Sequence, residues 1–373
     1  MPEPLKNLIN TNVVATLAKR IKHEYSGFDA KGFQRDATQG LDALTMSQRS
    51  RHIAGALADY LPENRKEALM VICNSAMSPE ADPATGSSTF LYWPLTMFVE
   101  HYGLEHFEES MRANYVLTQR FTAEFSIRPF LIHHEKRTLA LLREWTSDAN
   151  HHVRRLVSEG TRPRLPWASR LPSFVKNPTP VIELLDLLKD DPSLYVRRSV
   201  ANNLNDIGKD NPDVLFATCA TWLKGASAGR EWVVKHALRS SIKRAEPGAF
   251  AVLGYDKPPT VEVKNAVCEP ASPTIGGKVL ITCTLRNTSG HTEDLLIDLI
   301  VHFVKSNGAT SGKVFKLTTA QLQSGQSIEL RKTISLQQHT TRTHYPGVHR
   351  VEVVVNGKVY PCCEFALGPI HTS

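Results

Sequence analysis

The stretch Tyr195–Asp206, YVRRSVANNLND, decides how this chain is read. Val196, Val200 and Leu204 recur every four residues, the spacing that places side chains on one face of an α-helix. Arg197 and Arg198 follow the first valine, and Asp206 closes the stretch. The pattern returns upstream as Val153…Val157, with Arg154-Arg155, and downstream as Val234…Leu238…Ile242, with Lys235-His236. The offsets between the leading valines are 43 and 38 residues. They lie near the period of about 40–47 residues at which HEAT-type helix pairs stack into a solenoid with a concave face.

Outward from this core the chain divides in two. Up to about residue 255, apolar residues recur at three- and four-residue intervals, as in Gln48–Tyr60, Arg65–Met77, Leu91–Tyr102, Pro212–Gly225 and Glu231–Lys243. Asp191-Pro192-Ser193 and Asn211-Pro212 set a proline near a first helical turn. Lys257-Pro258-Pro259-Thr260 then reads as a linker. Beyond it the period becomes two, over Thr260–Val267, Lys278–Leu285, Asp294–Val304, Val314–Leu317, Ser327–Ile334 and Gly347–Val355. Gly276-Gly277, Ser289-Gly290, Asn307-Gly308 and Asn356-Gly357 supply the turns. The expected fold is a HEAT-like α-helical repeat solenoid over residues 1–257, followed by an Ig-like β-sandwich over 258–373. Without a Cys…Trp…Cys core, the sandwich is not of the antibody type.

The 373 residues are 41% hydrophobic and 22% charged, an ordinary balance for a folded chain. No apolar run reaches the roughly 18 residues of a membrane span, and the N-terminal stretch reads as an amphipathic helix, not a signal peptide. Six cysteines without a CxxC, two of them adjacent at Cys362-Cys363, fit neither a zinc framework nor a disulfide scaffold and favour a reducing cytoplasm. Nucleotide fingerprints and HExxH are missing, so no cofactor or metal is expected. GxSxG occurs as Gly225–Gly229, but a helical pattern precedes it, which makes it a loop between helices. The pairs His133-His134 and His151-His152 point about 100° apart on a helix and do not chelate one ion.

Charge is unevenly spread. The net charge is +7, and His151–Arg170 sets five arginines against one glutamate. Arg154, Arg155, Arg162, Arg164, Arg197 and Arg198, with Lys209, would line matching helices of successive repeats, as contact with a phosphate backbone requires. Pairing of these bases with acids of the next repeat is the other reading. Glu124, Glu159 and Asp206 stand out among them, because an acid in a phosphate-binding face costs affinity unless it acts on a cation. Trp167 reads equally as a stacking platform or a core residue.

Phe121–Phe130 (FTAEFSIRPF), Asn150–Ala168 (NHHVRRLVSEGTRPRLPWA) and Val196–Pro212 (VRRSVANNLNDIGKDNP) resemble the alkylpurine DNA glycosylases of the AlkC/AlkD superfamily, and specifically the AlkC branch. The resemblance covers roughly residues 1–250, and the β-rich tail is similar to the Ig-like domain appended in part of that branch. It implies a monomeric, monofunctional bacterial base-excision-repair enzyme of the cytoplasm and nucleoid, with no membrane association. Its partner would be duplex DNA carrying cationic N3-methylated bases, 3-methyladenine or 3-methylcytosine, reached without classical base flipping. Asp206 would position water, with Glu159 next, Glu124 facing the lesion and Trp167 packing on sugar or base. Arg154, Arg155, Arg162, Arg164, Arg197, Arg198 and Lys209 would grip phosphates. His339–Tyr345 is a further DNA-facing candidate. The competing class is a non-catalytic helical-repeat scaffold that binds nucleic acid or an acidic protein.

Overall fold

The computed structural model of the protein describes residues 4–77, 86–339 and 342–369, with backbone alone for 86–88. The chain forms two compact units, one ending at Ala237 and one beginning at Leu238. The second unit therefore takes in two short helices, Arg239–Lys243 and Pro247–Val252, ahead of the proline-rich linker.

The first unit is helical. Its central helix, Leu194–Ile207, carries two stripes. Val196, Val200, Leu204 and Ile207 are buried as the 3.6-residue period requires. Ser199, Asn203 and Asp206 form a second stripe, polar and equally buried, that faces His151–Gly160. Their short side chains bond across the interface. Ser158 Oγ donates to Ser199 Oγ at 2.7 Å, and Asn203 Nδ2 donates to the Ser158 carbonyl at 2.8 Å and to Thr161 Oγ1 at 3.0 Å. On the far side Asn205 Nδ2 donates to the Ala237 carbonyl at 2.6 Å. The three helices that share the repeated stripe thus stand side by side, Leu194–Ile207 between His151–Gly160 and Ala228–Ala237. The third stripe is interrupted: a turn at Leu238 separates Ala228–Ala237 from Arg239–Lys243, where the sequence predicts one helix. Gly225–Gly229 is a loop running into a helix start, as its helical approach implies.

The second unit is an antiparallel sandwich of β1 (Val261–Glu269), β2 (Lys278–Asn287), β3 (Glu293–Val304), β4 (Thr310–Leu322), β5 (Ser327–Ser335), β6 (Gly347–Val355) and β7 (Lys358–Leu367). One sheet has the order β1-β2-β5 and the other β4-β3-β6-β7. Val279, Ile281, Leu285, Leu295, Ile297, Leu299, Val351 and Val353 fill the space between them. Asn356 and Gly357, at φ +47° and +81°, make the two-residue turn that an Asn-Gly pair favours between β6 and β7. β7 escapes a period-two reading because Pro361 lacks a donor and the register slips beside it. A proline is tolerated there because β7 is a sheet edge. Of the loop His339–Tyr345, Thr340 and Thr341 lie outside the described residues, and His344 is buried against Phe303 instead of facing outward.

Candidate active site

Asn150 caps the His151–Gly160 helix through its side chain, accepting from the His152 N–H at 2.8 Å. That start fixes the helix phase, so that Arg155 and Glu159, one turn apart, share the face toward Phe121–Ile127 and Leu194–Ile207. Thr122 holds the approach of Glu124. Its hydroxyl accepts from the Glu124 N–H at 3.2 Å and donates to Glu124 Oε2 at 2.8 Å.

The result is a ladder of alternating charge. Arg155 Nη1 lies 2.8 Å from Glu124 Oε2, and Arg155 Nη2 lies 3.5 Å from Glu159 Oε1. Arg162 Nη1 reaches Glu159 Oε1 at 2.6 Å while its Nε reaches Asp206 Oδ2 at 2.7 Å. Lys209 Nζ ends the ladder at 2.6 Å from Asp206 Oδ1. The three acids named from the sequence are therefore brought into one site, and the bases between them balance their charge. Burial alone pushes the Glu159 carboxyl up, but the Arg155 and Arg162 guanidiniums and the Ser199 hydroxyl outweigh it and hold the group below the usual carboxylate range. Burial likewise lowers Arg162, and is outweighed by Glu159 and Asp206, so that its pKa ends above the ordinary value.

The ladder borders a cavity of about 310 Å³. Glu124, Glu159 and Arg162 form its polar side; Trp93, Phe121, Phe125 and Trp167 are among its apolar walls. Trp93 stacks on Phe121 and Phe125, with centroids 5.8 and 6.3 Å apart. Asp206 is only 1% exposed and stands one layer back, behind Arg162. Trp167 is 93% exposed and holds a left-handed backbone at φ +65°. A core role for it is thus excluded. A large side chain in that conformation, without packing, is a cost that the fold retains for some other reason.

The seven bases differ in what they hold. Arg154 is paired with Asp191 at 2.6 Å and Arg164 with Asp210 at 2.6 Å. Arg155, Arg162 and Lys209 belong to the ladder. Arg197 Nη1 donates to the Asp191 carbonyl at 2.6 Å. Arg198 is exposed, with no ion pair among the described residues. Five of the seven, then, are joined to acids, and three of these, Arg154, Arg162 and Arg164, to acids 37 to 46 residues further along the chain.

Four supporting residues escape a reading of the sequence. Arg128 is buried, and its Nη1 donates at 2.9 Å to the carbonyls of Gly160 and Arg162, tying the helix end to the segment that presents Trp167. That it is the one base in FTAEFSIRPF is the only signal it gives. Tyr195 lies under the Arg155 guanidinium, 5.2 Å from ring centroid to Cζ. Ser199 donates to Glu159 Oε2 at 2.6 Å. Gly160 is required by proximity, since a Cβ there would lie 2.6 Å from Ile127 Cγ2.

Fold and site define a helical unit with a buried acid–base ladder under an aromatic cavity, followed by an Ig-like sandwich. Residues 262–369 match the family model described as the C-terminal Ig-like domain of the uncharacterised protein YhaZ. The whole chain is 34% identical over 362 residues to the uncharacterized protein YhaZ of Bacillus subtilis (strain 168), covering 97% of this chain and 98% of that one. It is also similar to the alkylpurine DNA glycosylase AlkC of Pseudomonas fluorescens, solved bound to DNA containing an abasic site analog. The TM-score is 0.90 at 37% identity, over 98% of this chain and all of the other. The chain belongs to this AlkC/YhaZ family. No helix among the described residues is long and apolar enough to cross a membrane.

Proposed function

We propose that this protein is a monofunctional alkylpurine DNA glycosylase that hydrolyses the N-glycosidic bond of cationic N3-methylated bases, 3-methyladenine and 3-methylcytosine, in duplex DNA. The observation that carries the reading is the placement of Glu124 and Glu159 on the polar side of an aromatic-walled cavity, with Asp206 one layer back behind Arg162. An N3-methylated base is already a cation and a good leaving group, so the site needs little general-acid help. It needs negative charge near the developing oxocarbenium ion and a carboxylate to orient water. Glu124 and Glu159 supply the first. Asp206 supplies the second, with Trp167 against the sugar or base.

Asp206 is engaged on both oxygens in the protein alone, by Arg162 and Lys209. Lys209 is the more exposed of these partners. A DNA phosphate that draws the ammonium away frees Oδ1 to accept a proton from water. Arg155 and Arg162 hold the acids apart and keep Glu159 charged, while Arg197 and Arg198, with the exposed parts of Arg164 and Lys209, meet the backbone. The test is release of free base from methylated duplex DNA by the full chain, compared with Asp206→Asn. Binding without release by the unaltered protein would favour the scaffold reading.

A further inference from the structure

The β-sandwich holds a thiol cluster that the glycosylase reading does not use. Cys268 on β1 pairs with Ile281 on β2, and Cys283 lies two residues further along β2. Both cysteines therefore face the interior, and both are buried. On β7, Val351 pairs with Cys363 and Glu352 with Pro361, leaving Cys362 as the extra residue of a bulge. Neighbouring side chains of a regular strand point to opposite faces; the bulge lets both cysteines reach toward the other sheet. Cys268 Sγ lies 2.7 Å from Cys363 Sγ, and Cys362 Sγ lies 3.8 Å from Cys363 Sγ. Cys283 belongs to the buried core between the sheets, against which Cys362 and Cys363 pack.

We infer that Cys268, Cys283, Cys362 and Cys363 are a thiol-oxidation site, which a hydroperoxide converts into two disulfides, Cys268–Cys363 and Cys283–Cys362, joining β7 to β1 and β2. In each pair one cysteine is buried and the other half-buried. In each pair one thiol donates to the other, which draws Cys268 and Cys362 down from the usual thiol range and pushes Cys363 and Cys283 up. Cys362 as thiolate attacks one peroxide oxygen; the S–O bond forms, the O–O bond breaks, and hydroxide leaves to become water. Cys283, losing its proton, then displaces hydroxide from that sulfenic acid, and the S–S bond forms. Two thiols and one hydrogen peroxide give one disulfide and two waters. The Cys268–Cys363 pair closes with the same balance. Cys73 and Cys219 are buried in the helical unit, outside the sandwich that holds this cluster, and serve as internal controls.

The experiment treats the reduced full-length protein with hydrogen peroxide, removes the oxidant, and counts thiols in denaturant with a maleimide. Intact-mass measurement and a non-reducing peptide map accompany the count. The reduced chain has six thiols. The expected oxidised chain has two, has lost the mass of four hydrogens, yields both cross-sheet bridges in the map, and returns to six with dithiothreitol. The unfolding transition of the sandwich rises by at least about 5 °C on oxidation. In Cys268→Ala only the Cys283–Cys362 bridge forms, and in Cys283→Ala only Cys268–Cys363. The inference is overturned by six surviving thiols, by added oxygen without bridges, by a vicinal Cys362–Cys363 bridge, or by a metal ion retained on the four sulfurs in native mass spectrometry.

Discussion

Replacing Arg162 by methionine is the sharpest structural perturbation of the ladder. Its guanidinium touches two buried carboxylates, Glu159 at 2.6 Å and Asp206 at 2.7 Å. Removing one member of a buried pair leaves uncompensated charge, which costs about 3–5 kcal/mol. Arg155 stays on Glu159 and Lys209 stays on Asp206, which places the expected loss at the lower end, about 3 kcal/mol near neutral pH. The pH dependence separates this cause from lost packing. In the native protein Glu159 is held below its ordinary range. Its contribution is present above the unfolded value of about 4.3 and disappears as pH falls through the depressed folded value. In Arg162→Met, burial, the largest single influence on this carboxyl, is less opposed, and the folded value moves above the unfolded one. The variant then gains stability as pH falls from neutral toward the unfolded value of about 4.3, while the parent does not. Urea unfolding followed by helical circular dichroism at both ends of this range measures this difference. Adding Glu159→Gln to the variant restores much of the loss. An equal penalty at the two pH values, or no rescue by Glu159→Gln, would refute the charge argument.

Other substitutions separate support from chemistry. Trp167→Gly, at φ +65° and with almost no packing, leaves stability unchanged or raises it by about 1 kcal/mol, yet lowers base release; thermal unfolding and a release assay on the same preparation show both effects. Gly160→Ala forces a Cβ against Ile127 and lowers stability by about 1–3 kcal/mol, which denaturant titration reads. Duplex affinity falls steeply with salt, and in Arg198→Ala the log–log slope is shallower by about one contact. Arg154→Ala, whose guanidinium is bound to Asp191, loses mainly stability, and fluorescence anisotropy at several salt concentrations tells the two arginines apart.

The helices were legible because Val196, Val200 and Leu204 keep their spacing, and most strands because their faces alternate. β7 was hidden by Pro361 and the bulge at Cys362, which break the alternation that makes a strand visible. The three acids could be singled out by their chemistry among bases, but not their order: that Asp206 lies behind Arg162 depends on how the segment after Gly160 packs on the Leu194–Ile207 helix, a bond between residues 44 apart. The partners of the arginines were out of reach for the same reason. Arg154–Asp191, Arg162–Asp206 and Arg164–Asp210 each span 37 to 46 residues, about one repeat. Local pattern shows a basic face, and only the stacked helices show which bases are already neutralised. Arg128 offered no periodic signal, since its role is to bind carbonyls of a distant loop.

The central claim is that Asp206 acts on water at the glycosidic carbon. The most direct measurement is single-turnover release of 3-methyladenine from methylated duplex DNA by Asp206→Asn, with duplex affinity measured alongside. The account predicts release at least about 100-fold slower, a loss of roughly 3 kcal/mol of transition-state stabilisation, with binding retained. Release at the unaltered rate, with the same duplex affinity, would contradict it.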